Sequence, residues 1–128
     1  MNQVINTIDL DATLQAQSPQ EILAYALGHF DKAAISFSGS EDVVLIDMAV
    51  KVRPDVQVFC LDTGRLHEET YRFLERVRKH YGVTLDILSP DAEAVRKLVT
   101  EKGLFSFYED THKECCAIRK IGPLKRNY

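Results

Sequence analysis

Short apolar runs alternate with segments of helical periodicity along this chain, and this alternation is the feature that most constrains its fold. Three of the runs are typical of buried strands, at residues 33–37, 56–61 and 83–88. Parallel neighbouring strands need a long crossover between them, and that crossover is usually a helix. The alternation therefore predicts the α/β class, a parallel sheet with helices on both faces.

Local signals mark the ends of the predicted helices. Ser18-Pro19-Gln20-Glu21 forms a capping box with proline at the first helical position, and an apolar stripe follows from Ile22 to Phe30. Gly82 and Gly103 are expected to end two later helices. These later helices are predicted over residues 43–50, 66–81 and 89–103.

Charge and hydropathy narrow the range of partners and compartments. The net charge of −3 gives no broad attraction for nucleic acid, so a bound anion must be held by a local group of donors. No apolar run approaches the length of about 20 residues that spans a membrane, so no membrane partner is expected. Residues 1–17 lack the pattern of a signal peptide, which predicts a cytoplasmic protein.

No repeat or linker divides residues 1–128, which are predicted to form one domain.

The loop that follows the first strand has the composition of an anion-binding loop. Residues 36–42 leave a strand and enter a helix, so free backbone N–H groups and the helix dipole converge there. Ser36 and Ser38 project to the same side of an extended chain, and Gly39 allows close approach. An ordinary serine-capped turn explains these residues equally well. The loop is not a Walker motif, because no Gly-Lys-Ser/Thr follows it, and Glu41 and Asp42 would repel a triphosphate.

The loop after the second strand lies at the same predicted edge of the sheet, where α/β proteins bind ligands. Leu61-Asp62-Thr63-Gly64-Arg65 offers an acceptor, a hydroxyl, a flexible glycine and a guanidinium within five residues. The alternative interpretation is a turn in which Asp62 caps the next helix.

Two adjacent cysteines, Cys115 and Cys116, indicate metal or redox chemistry rather than a disulfide framework. Both thiols can reach one metal group only from helical or turn geometry, so the pair is predicted to begin a helix that Gly122-Pro123 ends. Cys60 is predicted to be a buried thiol with a raised pKa. Arg119 and Lys120 lie four residues after Cys115 and Cys116, which places each cation one helical turn beyond a thiol. The alternative is that Arg119, Lys120, Lys125 and Arg126 only solvate a helix face.

Three segments together resemble the sulfonucleotide reductase family, which has the adenine nucleotide α-hydrolase-like fold: residues 36–42, 61–73 and 113–126. The cysteine pair is similar to that of the adenosine 5′-phosphosulfate reductases that carry an iron-sulfur cluster, and the cluster-free branch lacks it. The resemblance implies that Ser36, Ser38 and the main chain of Leu61 contact the nucleotide. It further implies a 4Fe-4S cluster with Cys115 and Cys116 as two of its ligands. Thr63 is expected to lie near this cluster, and Lys120 between the cluster and the anionic groups of the substrate.

The activity implied by this resemblance is reduction of adenosine 5′-phosphosulfate to sulfite and AMP through an enzyme S-sulfocysteine, with thioredoxin or glutaredoxin as reductant. The family's further Cys-x-x-Cys pair and its attacking cysteine have no counterpart in these 128 residues, so the chain is expected to lack a C-terminal region. A homo-oligomer is left open. The alternatives are a 3′-phosphoadenosine phosphosulfate reductase, an ATP pyrophosphatase of the same fold, and a truncated module that binds nucleotide without turnover.

Two further segments receive structural interpretations. His112 is close enough to the cysteine pair to support a cluster ligand, although the histidines as a group are too scattered for a metal triad. Residues 104–108 are rich in aromatic side chains and are predicted to serve core and lid packing rather than to stack on a purine.

Overall fold

The sheet predicted from the apolar runs is present in the computed structural model, which describes residues 6–128. Its strands are β1 (Ala34–Ser36), β2 (Gln57–Leu61) and β3 (Thr84–Leu88), all parallel and in the order β1-β2-β3. The α/β class and the parallel sheet are therefore confirmed. The first five residues, which belong to the opening segment in which no signal peptide is expected, lie outside the described residues.

Helices precede, connect and follow the strands. The longer ones are α1 (Thr7–Leu14), α2 (Pro19–His29), α3 (Val43–Val52), α4 (Glu68–Tyr81) and α5 (Ala92–Lys102). The chain then forms the short helices α6 (Ser106–Glu109) and α7 (Lys113–Cys116), a π-helical segment (Ala117–Ile121) and α8 (Gly122–Asn127). Within residues 6–128 no helix is both long and apolar enough to cross a bilayer.

The predicted helix ends agree with the structure to within a few residues. The capping box is formed, since Ser18 Oγ accepts from the Glu21 N–H at 3.2 Å and the Glu21 carboxylate accepts from the Ser18 N–H at 3.3 Å. Helix α4 ends at Gly82, whose φ of 64° suits glycine. Helix α5 starts later than predicted, because Asp91 rather than Ser89 caps it, accepting from the Ala94 N–H at 2.9 Å.

The two faces of the sheet are covered by different helices. Val58 and Cys60 of β2 point into the main core, and Phe59 between them points the other way, where its ring lies 4.6 Å from that of Tyr128 at the end of α8. The main core receives the buried side chains of α2, α3 and α4, namely Leu27, Ile46, Ala49, Leu74 and Val77. The prediction of helices on both faces is therefore confirmed.

The prediction that Gly122-Pro123 ends the cysteine helix is wrong. Helical backbone continues from Lys113 to Asn127, and Pro123 is buried within it. The Gly122 N–H donates to the Ala117 carbonyl five residues back, so the π-helical segment changes the hydrogen-bond register just before the proline. Pro123 then occupies the first turn of α8, where a residue without an N–H loses no helical hydrogen bond.

Helix α1 was not expected from the sequence. Asn6 caps it by accepting from the N–H groups of Ile8 and Asp9 at 3.2 Å. Every residue of α1 is exposed or half-buried, and Ile8 is 79% exposed. A helix with so little core contact carries no apolar stripe, which is the signal on which a sequence-based prediction depends.

Candidate functional site

The loops after β1 and β2 begin side by side at the carboxyl edge of the sheet. The Phe37 N–H donates to the Phe59 carbonyl at 2.9 Å, and the Asp62 N–H donates to the Leu88 carbonyl at 2.9 Å, so strand pairing continues one residue beyond β1 and β2. The loops formed by residues 38–42 and 62–65 therefore begin next to each other at this edge of the sheet. Two cavities lie at this edge, where ligands of α/β proteins are usually bound.

The first cavity, which we call the serine cavity, has a volume of about 320 Å³. It lies between the ends of β1 and β2 and the first turns of α4. Ser38 and Gly39 line it as the sequence predicts, whereas Ser36 is exposed at the end of β1 and Leu61 is half-buried at the end of β2, paired with Leu88. The lining residues are Phe37, Ser38, Gly39, Ser40, Cys60, Glu69, Thr70, Phe73 and Leu74.

The N–H groups of the first loop are held by Asp42 rather than left open for a ligand. Asp42 Oδ2 accepts from the N–H groups of Ser38 and Gly39 at 2.8 and 2.9 Å and from Ser38 Oγ at 3.0 Å. The hydrogen bonds from the N–H groups of Ser38 and Gly39 are the main reason that the pKa of this carboxyl lies below its usual range. These two amide donors are therefore not free as expected, because a carboxylate of the chain itself takes the position of an anion, and nucleotide binding at this loop stays a prediction.

The second loop is a turn organised by two of its own side chains. Asp62 Oδ1 accepts from the Gly64 N–H at 2.9 Å and from the Tyr71 hydroxyl at 2.7 Å, and Thr63 Oγ1 accepts from the Arg65 N–H at 3.2 Å. The hydrogen bond to Asp62 is the main reason that the pKa of Tyr71 is raised. Asp62 does not cap α4 as the alternative interpretation supposed, since His67 stands at that position.

The second cavity, which we call the thiol cavity, joins the second loop to the cysteine helix. Its volume is about 200 Å³. It brings together residues that lie some 50 positions apart in the sequence, and five of them were predicted as site residues. The lining residues are Thr63, Arg65, Phe107, Tyr108, Cys115, Cys116, Arg119 and Lys120.

The cysteine pair has the helical geometry that the sequence predicts. Cys115 and Cys116 are half-buried free thiols at the last two positions of α7. The Cys116 N–H donates to the His112 carbonyl at 2.9 Å, so His112 contacts the pair through its backbone. Cys60 lies apart from them, buried in β2, and burial raises the pKa of its thiol as predicted.

The residues of the thiol cavity fit part of the ligand set of an iron-sulfur cluster. A 4Fe-4S cluster binds four thiolates, and Cys115 and Cys116 supply two to the same cavity. No group of three or more His, Cys, Asp or Glu side chains able to hold a metal ion is found within residues 6–128. The surrounding cations suit a negatively charged group, and the described part of the chain gives Arg119 Nε no hydrogen-bond partner although it is fully buried.

The four cations near the cysteines differ in their surroundings. Arg119 is buried, with 8% of its surface exposed, and its Nη1 donates to the Thr63 carbonyl at 2.6 Å, so the interpretation as a solvated helix face is wrong for this residue. Lys120 is exposed at the rim of the thiol cavity. Lys125 is exposed, and Arg126 Nη2 donates to the Ser89 carbonyl at 3.0 Å.

The aromatic segment before the cysteines is a surface element, and its predicted core packing is wrong. Leu104, Phe105 and Tyr108 are 59%, 58% and 72% exposed. Phe107 and Tyr108 line the thiol cavity, which the sequence analysis missed; their position just before the cysteine pair was the available signal. Arg65 joins this segment to the second loop, since its Nη1 donates to the Leu104 carbonyl at 2.7 Å.

Comparison with known proteins relates this geometry to a family. Residues 32–128 match the phosphoadenosine phosphosulfate reductase domain. An adenosine 5′-phosphosulfate reductase of Pseudomonas aeruginosa (strain LESB58) is 59% identical over 127 residues, which cover 98% of this chain and 48% of the relative. The chloroplastic 5′-adenylylsulfate reductase 3 of Arabidopsis thaliana is 52% identical over 119 residues, which cover 92% of this chain and 26% of the relative.

A solved structure gives the same result for the fold. The crystal structure of a phosphoadenylyl-sulfate reductase from Candida auris, in a phosphate complex, superimposes with a TM-score of 0.79 at 27% identity. The match covers 100% of this chain and 64% of that one. The chain thus spans about half the length of the bacterial relative and about a quarter of the plant relative.

Proposed function

This chain belongs to the phosphoadenosine phosphosulfate reductase domain family, and from that premise we propose that the intact protein reduces adenosine 5′-phosphosulfate to sulfite and AMP in assimilatory sulfate reduction. The observation that carries the proposal is the thiol cavity, which Cys115 and Cys116 line together with Thr63 and Lys120 at the carboxyl edge of the sheet. Relatives named for this activity are 59% and 52% identical over nearly the whole chain, which supports it.

We assign the nucleotide to the edge of the sheet on which both cavities open, and residues 1–128 to a single nucleotide-binding domain. The serine cavity has the size of a small-ligand pocket, of order 300 Å³ or more, and its aromatic and hydroxyl lining suits an adenosine group. Its proposed contacts are Ser36, Ser38, Gly39 and the main chain of Leu61. Asp62, Thr63, Gly64 and Arg65 then extend from the nucleotide toward the thiol cavity.

The thiol cavity would hold one side of a 4Fe-4S cluster, with Cys115 and Cys116 as two ligands and the other two from a part of the protein outside this chain. When bound, the cluster with its thiolates would be a negatively charged group beside the substrate sulfate. Lys120 at the rim and Arg65 in the wall lie where their positive charges offset the repulsion between that group and the sulfate and phosphate. Lys120 thus acts as an electrostatic helper rather than as a nucleophile.

The proposed reaction transfers the sulfonate group to a cysteine thiolate. The thiolate attacks the sulfur of the phosphosulfate, the bond from sulfur to the bridging oxygen breaks, and AMP leaves with the electron pair. A dithiol of thioredoxin or glutaredoxin then attacks the S-sulfocysteine and becomes a disulfide as sulfite is released. Cys60 is not suited to the first step, because it is buried and its pKa is raised, so we assign the attacking cysteine to a segment outside this chain.

Two related activities compete with this proposal. A preference for the 3′-phosphorylated substrate is favoured by the likeness to the phosphoadenylyl-sulfate reductase of Candida auris, whereas the cysteine pair and the more similar relatives favour adenosine 5′-phosphosulfate. An ATP pyrophosphatase is disfavoured because Asp42 already occupies the amide donors that would receive a phosphate of ATP.

The cellular setting follows from the thiol chemistry. Cys115 and Cys116 are free thiols in this structure, and the proposed reductant is a dithiol, so the reaction needs a reducing compartment. We place it in the cytoplasm, while the plant relatives are named as chloroplastic proteins.

A comparison of three nucleotides as substrates tests the proposal. Purified intact protein is supplied with thioredoxin and with adenosine 5′-phosphosulfate, its 3′-phosphorylated form or ATP, and sulfite and pyrophosphate are measured. We expect sulfite from adenosine 5′-phosphosulfate in preference to the 3′-phosphorylated form, with no pyrophosphate from ATP. Pyrophosphate release from ATP without sulfite from either sulfonucleotide would identify a pyrophosphatase instead.

A further inference from the structure

Arg119 is a buried cation whose described surroundings contain no counter-charge. Only 8% of its surface is exposed, and no carboxylate of residues 6–128 forms a salt bridge with it. Its one hydrogen bond goes to a neutral group, the Thr63 carbonyl, and the described residues leave its Nε without a partner. Burying a charge without a compensating anion opposes folding. The burial of Arg119 is therefore not explained by the stability of this chain alone, which indicates a functional role for the residue.

Two segments that are distant in sequence meet at this guanidinium. Arg119 belongs to the π-helical segment that directly follows Cys115 and Cys116, and it donates to the Thr63 carbonyl of the second loop, which lines the same thiol cavity. The 2.6 Å bond is among the shortest to a backbone carbonyl in the structure, as expected for a charged donor. The cysteine helix and the second loop are thereby joined on the inner side of the cavity.

The loop is shaped to receive the guanidinium closely. Gly64 has a φ of 77°, and a Cβ at this position would lie 3.4 Å from Arg119 Nη1. Any other residue would thus meet a strained backbone, and its Cβ would lie in van der Waals contact with the guanidinium. The Gly64 and Arg65 N–H groups are bonded to Asp62 and Thr63 within the same turn, so the turn and the arginine fit as one unit.

We propose that Arg119 is a positioning residue that fixes the cysteine helix against the Asp62–Arg65 turn, and so sets the spacing between the thiol pair and the nucleotide loop. The inference rests on the proposed function for its catalytic consequence. Its positive charge, which costs stability while the cavity lacks an anion, is offset when the cavity holds thiolates and a negatively charged group. Arg119 acts through Thr63 and the helix, and the proposal requires no contact between it and the substrate.

The test compares variants of the intact protein. Arg119→Met removes the charge and the hydrogen bond and keeps an unbranched stem, and Arg119→Lys keeps the charge but loses the planar fork. Arg126→Met is the matched control, because Arg126 lies in the same helical stretch and also donates to a backbone carbonyl, that of Ser89 at 3.0 Å, but is exposed and does not line the cavity.

Amide hydrogen exchange at Gly64 and Arg65 measures directly how firmly Arg119 holds the Asp62–Arg65 turn. In Arg119→Met we expect their amide exchange to accelerate by about tenfold or more, because the turn loses its anchor to the helix. We expect kcat to fall by about 10- to 100-fold, the usual effect of losing a residue that orients a metal site, with a smaller change in KM. Arg119→Lys should restore part of both, and Arg126→Met should change neither. In intact protein from which the cluster has been removed, the denaturation midpoint of Arg119→Met should not fall, since an uncompensated buried charge is replaced by an apolar side chain.

The outcomes separate this inference from the proposed function. Unchanged exchange at Gly64 and Arg65 in both Arg119 variants would overturn it, as would faster exchange of equal size in Arg126→Met. If the wild-type protein forms no sulfite but exchange is still faster in the Arg119 variants, the positioning role of Arg119 is supported and the proposed reaction is rejected. If Arg119→Met does not fold, Arg119→Lys and its exchange rates decide the same question.

Discussion

Replacing Asp42 by alanine should destabilise the protein by about 1–3 kcal/mol, because it removes one carboxylate that organises the whole first loop. The three hydrogen bonds, at 2.8, 2.9 and 3.0 Å, all end on Oδ2. A hydrogen bond to a charged group contributes about 1.5–3 kcal/mol, and we count the three together as about one such bond because they share one oxygen and two of them are exposed. For a chain of this length, the loss corresponds to a fall in Tm of about 4–12 °C.

The pH dependence of the same variant gives a second readout. The pKa of Asp42 is lowered in the folded state, so its contribution to stability is complete above the unfolded pKa of about 3.9 and disappears as the pH falls through the lower folded value. The difference between wild type and Asp42→Ala should accordingly be constant near neutral pH and shrink in acid.

Urea denaturation at several pH values, with Glu41→Ala as control, measures both effects. Glu41 is the adjacent carboxylate, and its hydrogen bond is a single exposed contact at 3.4 Å with Ser40, so its removal should change the free energy of unfolding by less than about 0.5 kcal/mol. If Asp42→Ala is as stable as Glu41→Ala at neutral pH, Asp42 does not hold the loop and the reasoning is refuted.

Three further substitutions test the core and the two loops. Ile46→Ala, at a side chain with 0% exposure, should cost about 2–5 kcal/mol in urea denaturation, whereas Val44→Ala on the same helix, 57% exposed, should cost less than about 0.5 kcal/mol; equal effects would contradict the assigned core. Tyr71→Phe removes the 2.7 Å bond to Asp62 and should lower the free energy of unfolding by about 1 kcal/mol, and no loss would show that this bond is not formed in solution. Ser38→Trp should weaken AMP binding by about tenfold or more in calorimetry, with an unchanged circular dichroism spectrum, because the indole would fill the serine cavity; unaltered affinity would place the nucleotide elsewhere.

The features that the sequence predicted well are those determined by neighbouring residues. The capping box of α2, the positive φ of Gly82 and the burial of β2 each depend on a few adjacent positions and on the alternation of apolar runs. The order of parallel strands then places residues 38–42 and 62–65 at one edge, which the topology of α/β sheets requires.

The features that were missed depend on contacts between distant residues or on a change of helical register. Nothing local distinguishes Arg119 from Arg126, yet one is buried against Thr63 and the other is exposed. Pro123 was expected to end a helix, because the π-helical segment that precedes it leaves no mark in the sequence. The carboxylate of Asp42 was interpreted as repelling an anion, whereas it occupies the anion position itself.

The central claim is that Cys115 and Cys116, and not the third cysteine, hold the metal group beside the nucleotide loop. Iron content and thioredoxin-dependent sulfite release measured together on intact protein test it most directly, with wild type, Cys115→Ser, Cys116→Ser and Cys60→Ala compared. Cys60→Ala is the matched control, since Cys60 is a free thiol buried in the core. We predict a four-iron complement in wild type and Cys60→Ala, sulfite release in wild type, and loss of both iron and sulfite release in the other two variants. Full iron and undiminished sulfite release in Cys115→Ser and Cys116→Ser would contradict the account.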